Sequence, residues 1–398
     1  MQGHPDEGGT TESAEATANS GDFSAVVSSH LSAVGSSGDG VSGARPLAQL
    51  AQEARADGVY GALDLGTNNC RLLLARPSRR GFRVVDAFSR IIRLGEGVSQ
   101  TGRLSEPAMA RTFDALKVCA AKLGRAKVRR SRLVATEACR VAENGAEFLD
   151  RVRDKLGLEI EILTREVEAR LAVSGSAALI DPSSDYVLVF DIGGGSSELI
   201  LLDLTRRGRR RDGRSAGRLD AQHCMVAWTS LPIGVVTLAE RFGGRHVSAE
   251  GFESMVAETA RLLADFESQY KVAERLAGRR MHMLGTSGTV TTVAGIQLGL
   301  KRYDRNRVDG CWLNVGDVRD VTVDLLGRSY EQRIAEPCIG RDRADLVLAG
   351  CAILEAILRM WPCERLRVAD RGLREGILTT LMLEDGVFAP ARRRRRQV

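Results

Sequence analysis

The stretch Asp191-Ile192-Gly193-Gly194-Gly195-Ser196-Ser197-Glu198 decides the fold of this chain. It follows the apolar run 186–190, which predicts a buried strand, and Leu199 begins a second apolar run. Backbone N–H groups in a glycine triplet can approach a phosphate without interference from a Cβ. The flanking carboxylates of Asp191 and Glu198 are ligands that Mg²⁺ accepts. The stretch therefore predicts either an ordinary glycine-rich hairpin or a phosphate-binding hairpin beside a metal ion.

A second hairpin of the same kind lies 127 residues earlier, counted from Asp64 to Asp191. Residues 59–63 predict a strand, Asp64 to Asn69 supply an acid, a glycine, a hydroxyl and two amides, and residues 70–75 predict the returning strand. A short turn needs only a Gly or Asn, so it does not by itself explain the repeated acid, glycine and hydroxyl. The repeat predicts duplicated domains that face one cleft.

A third loop, Gly285-Thr286-Ser287-Gly288-Thr289, follows a predicted strand and precedes a predicted helix. Loops of Gly, Ser and Thr at strand ends and helix starts bind phosphate oxygens through their N–H groups. None of the three loops matches the P-loop pattern GxxxxGK[ST] or the dinucleotide pattern GxGxxG. Together they predict a phosphate site of another type.

Charged residues near these loops suggest how such a site would work. Arg93 and Arg140 lie at predicted strand ends and would supply positive charge to phosphate. Glu168 or Glu166, at the start of a predicted helix between the two halves, would activate water as a general base. Both glutamates are equally explained as acids that the helix dipole favours at a helix start.

Length and composition indicate the number of domains and the class of protein. Its 398 residues suggest two domains, and the apolar fraction of 43% and charged fraction of 27% are typical of a globular protein. No apolar run reaches the ~18 residues that a membrane helix needs, and the first 30 residues do not resemble a secretory signal. Eight cysteines without CxxC spacing and five histidines without zinc spacing indicate a cytoplasmic protein with reduced thiols.

The net charge of +6 is unevenly distributed. Residues 1–58 hold eight acids and two arginines, a balance of −6, so the remaining residues carry +12. A basic body fits an anionic partner such as polyphosphate, a nucleotide or nucleic acid. The insertion 205–220, with seven arginines, is expected to be a solvated loop, with a phosphate-binding flap as the alternative, and the basic tip 392–396 is expected to be a solvated tail. Nucleic-acid binding is not expected because no aromatics alternate with the arginines.

The predicted element order is β-β-β-α-β-α-β-α, repeated in part after residue 186. Separate strands are predicted over 82–88 and 89–94, and Asn144 with Glu147 predicts a capping box. The domain limits that follow are an acidic disordered tail (1–58), domain I (59–181), domain II (182–388) and a basic tail (389–398).

Nine motifs in order resemble the exopolyphosphatase and guanosine-pentaphosphate phosphatase family, within the superfamily of actin, sugar kinases and heat-shock chaperones. They are DLGTNNCRLL (64–73), RLGEGV (93–98), TEACR (136–140), EARL (168–171), DIGGGSSEL (191–199), LPIG (231–234), GTSGT (285–289), GRDRAD (340–345) and DRGLREG (370–376). The resemblance implies an α/β fold of two actin-like, ribonuclease H-like domains with a cleft between them. It covers residues 59 to about 385.

The resemblance also implies roles for residues in the cleft. Glu168 matches the family's catalytic base, and Asp191 and Glu198 are the other residues implied to be catalytic. Asp64, Asp191 and Glu198 match the acidic positions that serve Mg²⁺, or Mn²⁺, and water. The residues implied to bind phosphate are Thr67, Asn68, Asn69, Arg93, Arg140, Gly193, Gly194, Gly195, Ser196, Gly285, Ser287, Gly288 and Thr289.

Two departures from the family pattern stand out. Val167 replaces the first of two adjacent acids before ARL, and Asn69 replaces a common serine. The chain ends soon after DRGLREG and has no His-Asp pair, as in the short two-domain form. The expected activity is release of terminal orthophosphate from inorganic polyphosphate, with a homodimer as the family-level expectation.

Other functions remain open at this point. The nearest is an alarmone phosphatase that removes the 5′-terminal phosphate of guanosine pentaphosphate, because it would use the same cleft residues. A kinase of the same superfamily is a further alternative, although no sugar motif is present. A non-catalytic regulator that binds an alarmone or nucleotide is another, although Glu168, Asp191 and Glu198 argue for catalysis.

Overall fold

The computed structural model describes residues 58–78, 81–206 and 221–388. The predictions for the acidic tail, for most of the arginine-rich insertion and for the basic tip lie outside these residues. Among the described helices, none is long and apolar enough to cross a membrane.

Two sheets carry the fold. The first contains β1 (Tyr60–Leu65), β2 (Asn69–Ser78), β3 (Gly81–Ile91), β4 (Arg130–Ala135) and β5 (Glu161–Ile162). The second contains β6 (Tyr186–Ile192), β7 (Ser197–Asp203), β8 (Met225–Leu231), β9 (Met281–Gly285), β10 (Trp312–Asn314) and β11 (Arg365–Val368).

Helices surround both sheets. Those of the first half are α1 (Val98–Thr101), α2 (Glu106–Arg125), α3 (Glu137–Val141), α4 (Gly145–Leu156) and α5 (Arg165–Ser176). Those of the second half are α6 (Val235–Phe242), α7 (Ala249–Tyr270), α8 (Val272–Leu276), α9 (Gly288–Gln297), α10 (Arg305–Val308), α11 (Val315–Gly327), α12 (Tyr330–Ala335), α13 (Val347–Met360) and α14 (Leu373–Glu384).

The two sheets have the same topology. The first has the order β3-β2-β1-β4-β5 and the second β8-β7-β6-β9-β11, with β10 as an added edge strand. In each, three antiparallel strands are followed by strands parallel to the first of them. The predicted duplication and the α/β fold class are therefore confirmed.

The strand registers place charged side chains together at the ends of the hairpins. Asp191 is directly opposite Glu198 in the β6–β7 ladder, and Asp64 is opposite Arg71 in the β1–β2 ladder. Residues opposite each other in an antiparallel pair point to the same face of the sheet. Each hairpin thus presents its charged groups on one side.

Helices α5 and α14 pack against each other between the two sheets. Leu171 of α5 shares a buried cluster with Tyr60 and Val134 of the first sheet, to which α14 also contributes. On the other side of α5, Ala169 and Val173 pack against the buried valines of β6. The helix that carries Glu168 is therefore fixed by burial on both sides. The limits of the two domains stay a prediction.

Two local predictions were wrong. Residues 81–91 form one strand rather than two, because β3 pairs along its whole length with β2. Asn144 does not cap α4 with its side chain. Its amide instead exchanges two hydrogen bonds with the backbone of Leu104, at 2.8 and 3.0 Å, a partner 40 residues away that helix-start patterns do not register.

Candidate active site

A cavity of about 460 Å³ lies where the predicted loops meet. The predicted site residues that line it are Asp64, Thr67, Asn68, Asn69, Glu168, Asp191, Gly193, Gly194, Gly195, Ser196, Glu198, Ser287, Gly288 and Thr289. Arg93, Arg140 and Gly285 do not line it. The tertiary structure therefore brings all three loops and the glutamate of α5 to one place.

The glycine triplet is held tightly between its neighbours. A Cβ on Gly194 would lie 2.9 Å from Cβ of Thr67, and one on Gly195 would lie 2.9 Å from Thr67 Oγ1. The carbonyl oxygens of Gly193 and Gly194 accept hydrogen bonds from the first N–H groups of α6, at 3.0 and 2.8 Å. The loop is thus fixed through its carbonyls. In the described part of the chain, the N–H groups of Gly194 and Gly195 donate to no acceptor.

The third loop ends in a helix start that faces the same cavity. Ser287 caps α9 by accepting a hydrogen bond from Val290 N at 3.2 Å. The N–H groups of Gly288 and Thr289, which lie between Ser287 and Val290, have no acceptor among the described residues. Free N–H groups at a helix start carry partial positive charge and bind anions.

The carboxylates that line the cavity are those of Asp64, Glu137, Glu168, Asp191, Glu198, Asp370 and Glu375. Burial raises the pKa of four of them, Asp64, Glu168, Asp191 and Glu198. The pKa of Asp191 rises to about 7, through burial and then through the nearby charge of Glu198. Burial likewise raises the pKa of Asp64 and of Glu198. Glu198 is held by Ser196 and Ser230, whose hydroxyls donate to Oε1 at 2.7 and 2.8 Å. So many buried acids in one cavity favour a cation or a proton between them.

Glu168 has the geometry of a positioned base. Arg140 donates two hydrogen bonds to its Oε2, both at 3.1 Å. Its Oε1 has no donor among the described residues. Burial, and then the charge of Glu198, hold the pKa of Glu168 well above its usual range. A carboxylate with one fixed oxygen and one free oxygen can take a proton from a water molecule in the cavity.

The donor set fits a magnesium ion that keeps part of its water shell. Among the described residues, no group of three or more His, Cys, Asp or Glu side chains is arranged to hold a metal ion. Mg²⁺ typically takes only one or two carboxylates, with waters and substrate phosphates completing its octahedron. The buried Oδ1 atoms of Asn68 and Asn69 also accept no hydrogen bond from the described residues, so they add hard oxygen donors beside the acids.

Arg93 and Arg140, predicted to bind phosphate, are engaged with carboxylates instead. Arg93 donates to both oxygens of Asp345 at 2.8 Å. Arg140 binds Glu137 as well as Glu168. Gly285 packs against the ring of Phe190, since a Cβ there would lie 2.7 Å from it. Their roles toward phosphate stay predictions, while the geometry gives each a structural role.

Other arginines provide the positive charge in the cavity. Arg71, Arg343 and Arg374 line it, and within the described residues they form no ion pair or side-chain hydrogen bond. Arg305 and Arg371 also line it but pair with Glu375 and Asp309. All five were missed as individual residues. Four of them lie in or next to the motifs DLGTNNCRLL, GRDRAD and DRGLREG, which was the available signal.

A sequence model described as the Ppx/GppA phosphatase family matches residues 74–385. A guanosine-5′-triphosphate,3′-diphosphate pyrophosphatase of Photobacterium profundum is 29% identical over 336 residues, which are 81% of this chain and 59% of that protein. The chain thus spans less than two thirds of that relative. Exopolyphosphatase 2 of Mycobacterium tuberculosis is 28% identical over 333 residues, which are 80% of this chain and 97% of the relative.

A solved structure of a member of this family has a fold similar to that of the chain. The crystal structure of the Aquifex aeolicus member of the Ppx/GppA protein family is 28% identical to this chain, with a TM-score of 0.65. The match covers 82% of this chain and 98% of that one.

Proposed function

Because the chain belongs to the Ppx/GppA phosphatase family, we propose that it is an exopolyphosphatase that hydrolyses the terminal phosphoanhydride bond of inorganic polyphosphate. The observation that carries this proposal is the lining of the cavity. It combines free loop N–H groups, seven carboxylates and three arginines that have no ion partner among the described residues. Such a lining suits a chain of several phosphates.

The residues have separate tasks in the proposed reaction. The free N–H groups of Gly194, Gly195, Gly288 and Thr289 hold the oxygens of the terminal phosphoryl group in line. Glu168 Oε1 accepts a proton from the attacking water, while Arg140 holds Oε2 and fixes the direction of the carboxylate. The bond to the next phosphate breaks as the water oxygen joins the terminal phosphorus, and the shortened chain leaves.

A metal ion completes this site. Mg²⁺, or Mn²⁺, is proposed to bind near Asp64, Asp191 and Glu198, through one or two of these carboxylates together with waters and phosphate oxygens. When bound, it would offset charge on the transferred phosphoryl group. The raised pKa of each of these acids supports the proposal, because a cation among them relieves the cost of their burial.

The alternative substrate is guanosine pentaphosphate, which the Photobacterium relative's name supports. A guanine base needs an apolar or aromatic surface on which to stack. Among the described residues that line the cavity, the one aromatic is Tyr303, whose hydroxyl donates to Asp370 at 2.7 Å. The near-complete coverage of Exopolyphosphatase 2 also favours polyphosphate.

Phosphate release decides between the two substrates. Polyphosphates of defined length and guanosine pentaphosphate are compared at equal concentration, with Mg²⁺, with Mn²⁺ and with a chelator. We expect faster release from polyphosphate and loss of release with the chelator. Faster release from guanosine pentaphosphate would transfer the proposal to the alarmone. If phosphate is released from neither substrate, the alternative of a non-catalytic regulator that binds an alarmone or nucleotide is favoured.

Arg343→Gln is expected to raise KM for polyphosphate about tenfold or more, with kcat changed little. A charge-assisted hydrogen bond to phosphate contributes about 1.5–3 kcal/mol, and each 1.4 kcal/mol is about tenfold in affinity. The matched control is Arg341→Gln, two residues away, exposed and outside the cavity lining. Steady-state kinetics of the two variants would contradict the assignment if their KM values were equal.

Stability in a chelating buffer is expected to fall as pH rises from about 5 to 8. Folded Asp191 keeps its proton up to about pH 7, whereas the unfolded chain loses it near pH 4, so the folded state binds more protons in between. Glu198, Asp64 and Arg71 face this carboxylate. Over this pH range, calorimetry should show a smaller decrease in Tm for Asp191→Asn than for the wild type. Mg²⁺ should raise the wild-type Tm more at pH 8 than at pH 5, and equal shifts would speak against a metal held by these acids.

A cytoplasmic location and a homodimer complete the proposal. The eight cysteines, all within the described residues, form no disulfide bonds, which supports a reducing compartment. Light scattering of the purified chain measures the oligomeric state directly.

A further inference from the structure

A second cavity, of about 370 Å³, shares no lining residue with the candidate active site. It lies between the segment that leads into α7 and the segment that leads into α12. Its lining residues are Arg245, His246, Val247, Ser248, Arg328, Ser329, Tyr330, Glu331 and Arg333. Four of these nine carry a basic side chain, and one carries an acid.

Arg333 is the unusual member of this lining. It is 2% exposed, and within the described residues it forms no ion pair. Its Nη2 donates to the carbonyl oxygen of Arg245, and its buried Nε donates to no described group. A buried charge without a paired charge costs several kcal/mol. Burial also lowers the pKa of Arg333, because it disfavours the charged form of the side chain.

The acids that face Arg333 do not neutralise it. Asp345 is bound through both oxygens to Arg93. Glu331 accepts a hydrogen bond from Ser329 Oγ at 3.0 Å and forms no ion pair with any described residue. Among the described residues, the guanidinium of Arg333 therefore has no carboxylate within ion-pair distance.

The rest of the lining adds positive potential. The guanidinium of Arg245 lies over the ring of Tyr330, 5.4 Å from its centroid, and forms no ion pair with the described residues. Ser248 caps the 22-residue helix α7, whose start carries partial positive charge. Arg328, in contrast, is already paired with Asp324 and Glu336, at 2.7 and 2.8 Å.

We propose that this second cavity binds a phosphate-class oxyanion, held by the guanidinium groups of Arg333 and Arg245 beside the start of α7. The anion supplies the negative charge that the buried guanidinium lacks. Two sources have this chemistry: free orthophosphate, and a phosphoryl group within a longer phosphate chain. The proposal does not depend on hydrolysis in the first cavity.

Isothermal titration calorimetry on the full chain tests the proposal with two probes, inorganic phosphate and hydrolysis-resistant methylenediphosphonate. We expect two bound anions per wild-type chain. Arg245→Gln, at an exposed position, and Arg333→Met should both weaken binding of the anion in the second cavity by about tenfold or more. Arg343→Gln should instead weaken binding of the anion in the first cavity. Arg279→Gln, exposed and outside both linings, is the matched control.

The outcomes separate cleanly. Binding of orthophosphate at the Arg245-dependent site identifies the free ion as a ligand, and binding of methylenediphosphonate alone identifies a phosphoryl group within a chain. A single bound anion that Arg343→Gln weakens and Arg245→Gln does not, or titrations of Arg245→Gln equal to those of Arg279→Gln, would overturn the proposal. If Arg333→Met fails to fold by circular dichroism, Arg245→Gln decides the outcome by itself.

Discussion

Replacing Glu168 by glutamine is expected to lower kcat for phosphate release by about 10²–10⁴-fold, the usual contribution of a positioned general base. Glutamine keeps the size of the side chain and an oxygen that can accept from Arg140. It loses the basic oxygen, Oε1, that has no other donor among the described residues. Binding of polyphosphate should change little, because the loops and arginines of the cavity remain.

The matched control is Glu166→Gln on the same turn of α5. Glu166 is exposed, pairs with Arg170 at 2.9 Å and does not line the cavity. Kinetics of phosphate release, with binding of an uncleaved phosphate analogue measured separately, compare the two variants. Equal loss in both would mean that the helix, rather than the base, had been disturbed. Near wild-type release by Glu168→Gln would require a different base.

Gly175→Ala is expected to destabilise the fold by about 3 kcal/mol or more, at the upper end of overpacking costs. A Cβ at Gly175 would lie 1.8 Å from the carbonyl oxygen of Gly372, and one at Gly376 would lie 2.0 Å from that of Leu171. These atoms are backbone, so α5 and α14 would have to separate. Since α5 carries Glu168, turnover should fall together with stability.

Gly124→Ala is the control for this substitution. Gly124 lies in α2, is exposed, and has no atom within 4 Å of the added Cβ. Alanine there should be neutral or stabilise by up to about 1 kcal/mol, because it has the higher helix propensity. Urea denaturation measures both variants. A Gly175→Ala protein as stable as Gly124→Ala would show that the two helices are not in close contact.

The position of the cleft could be predicted from sequence because its parts are local. In both hairpins, a strand, an acid, glycine and hydroxyl residues and a returning strand follow one another without interruption, over residues 60–78 and 186–203, and the structure forms both as expected. Local side-chain caps likewise begin two helices, at Ser105 for α2 and at Ser248 for α7. In contrast, the side-chain cap at Asn144 was wrong, because a distant backbone partner competed for the amide.

The sequence by itself determined the family, the duplicated fold, the three loops and four of the acids that line the cavity, Asp64, Glu168, Asp191 and Glu198. Only the tertiary structure decided which arginines remain available to an anion. Arg93 is paired with Asp345, 252 residues away, whereas Arg71, Arg343 and Arg374 are left without ion partners in the described chain. Nor does the sequence show that Arg333 is buried and has no ion partner in the described part of the chain. The physical reason is that a charge is free or neutralised by its neighbours in space, which spacing along the chain does not specify.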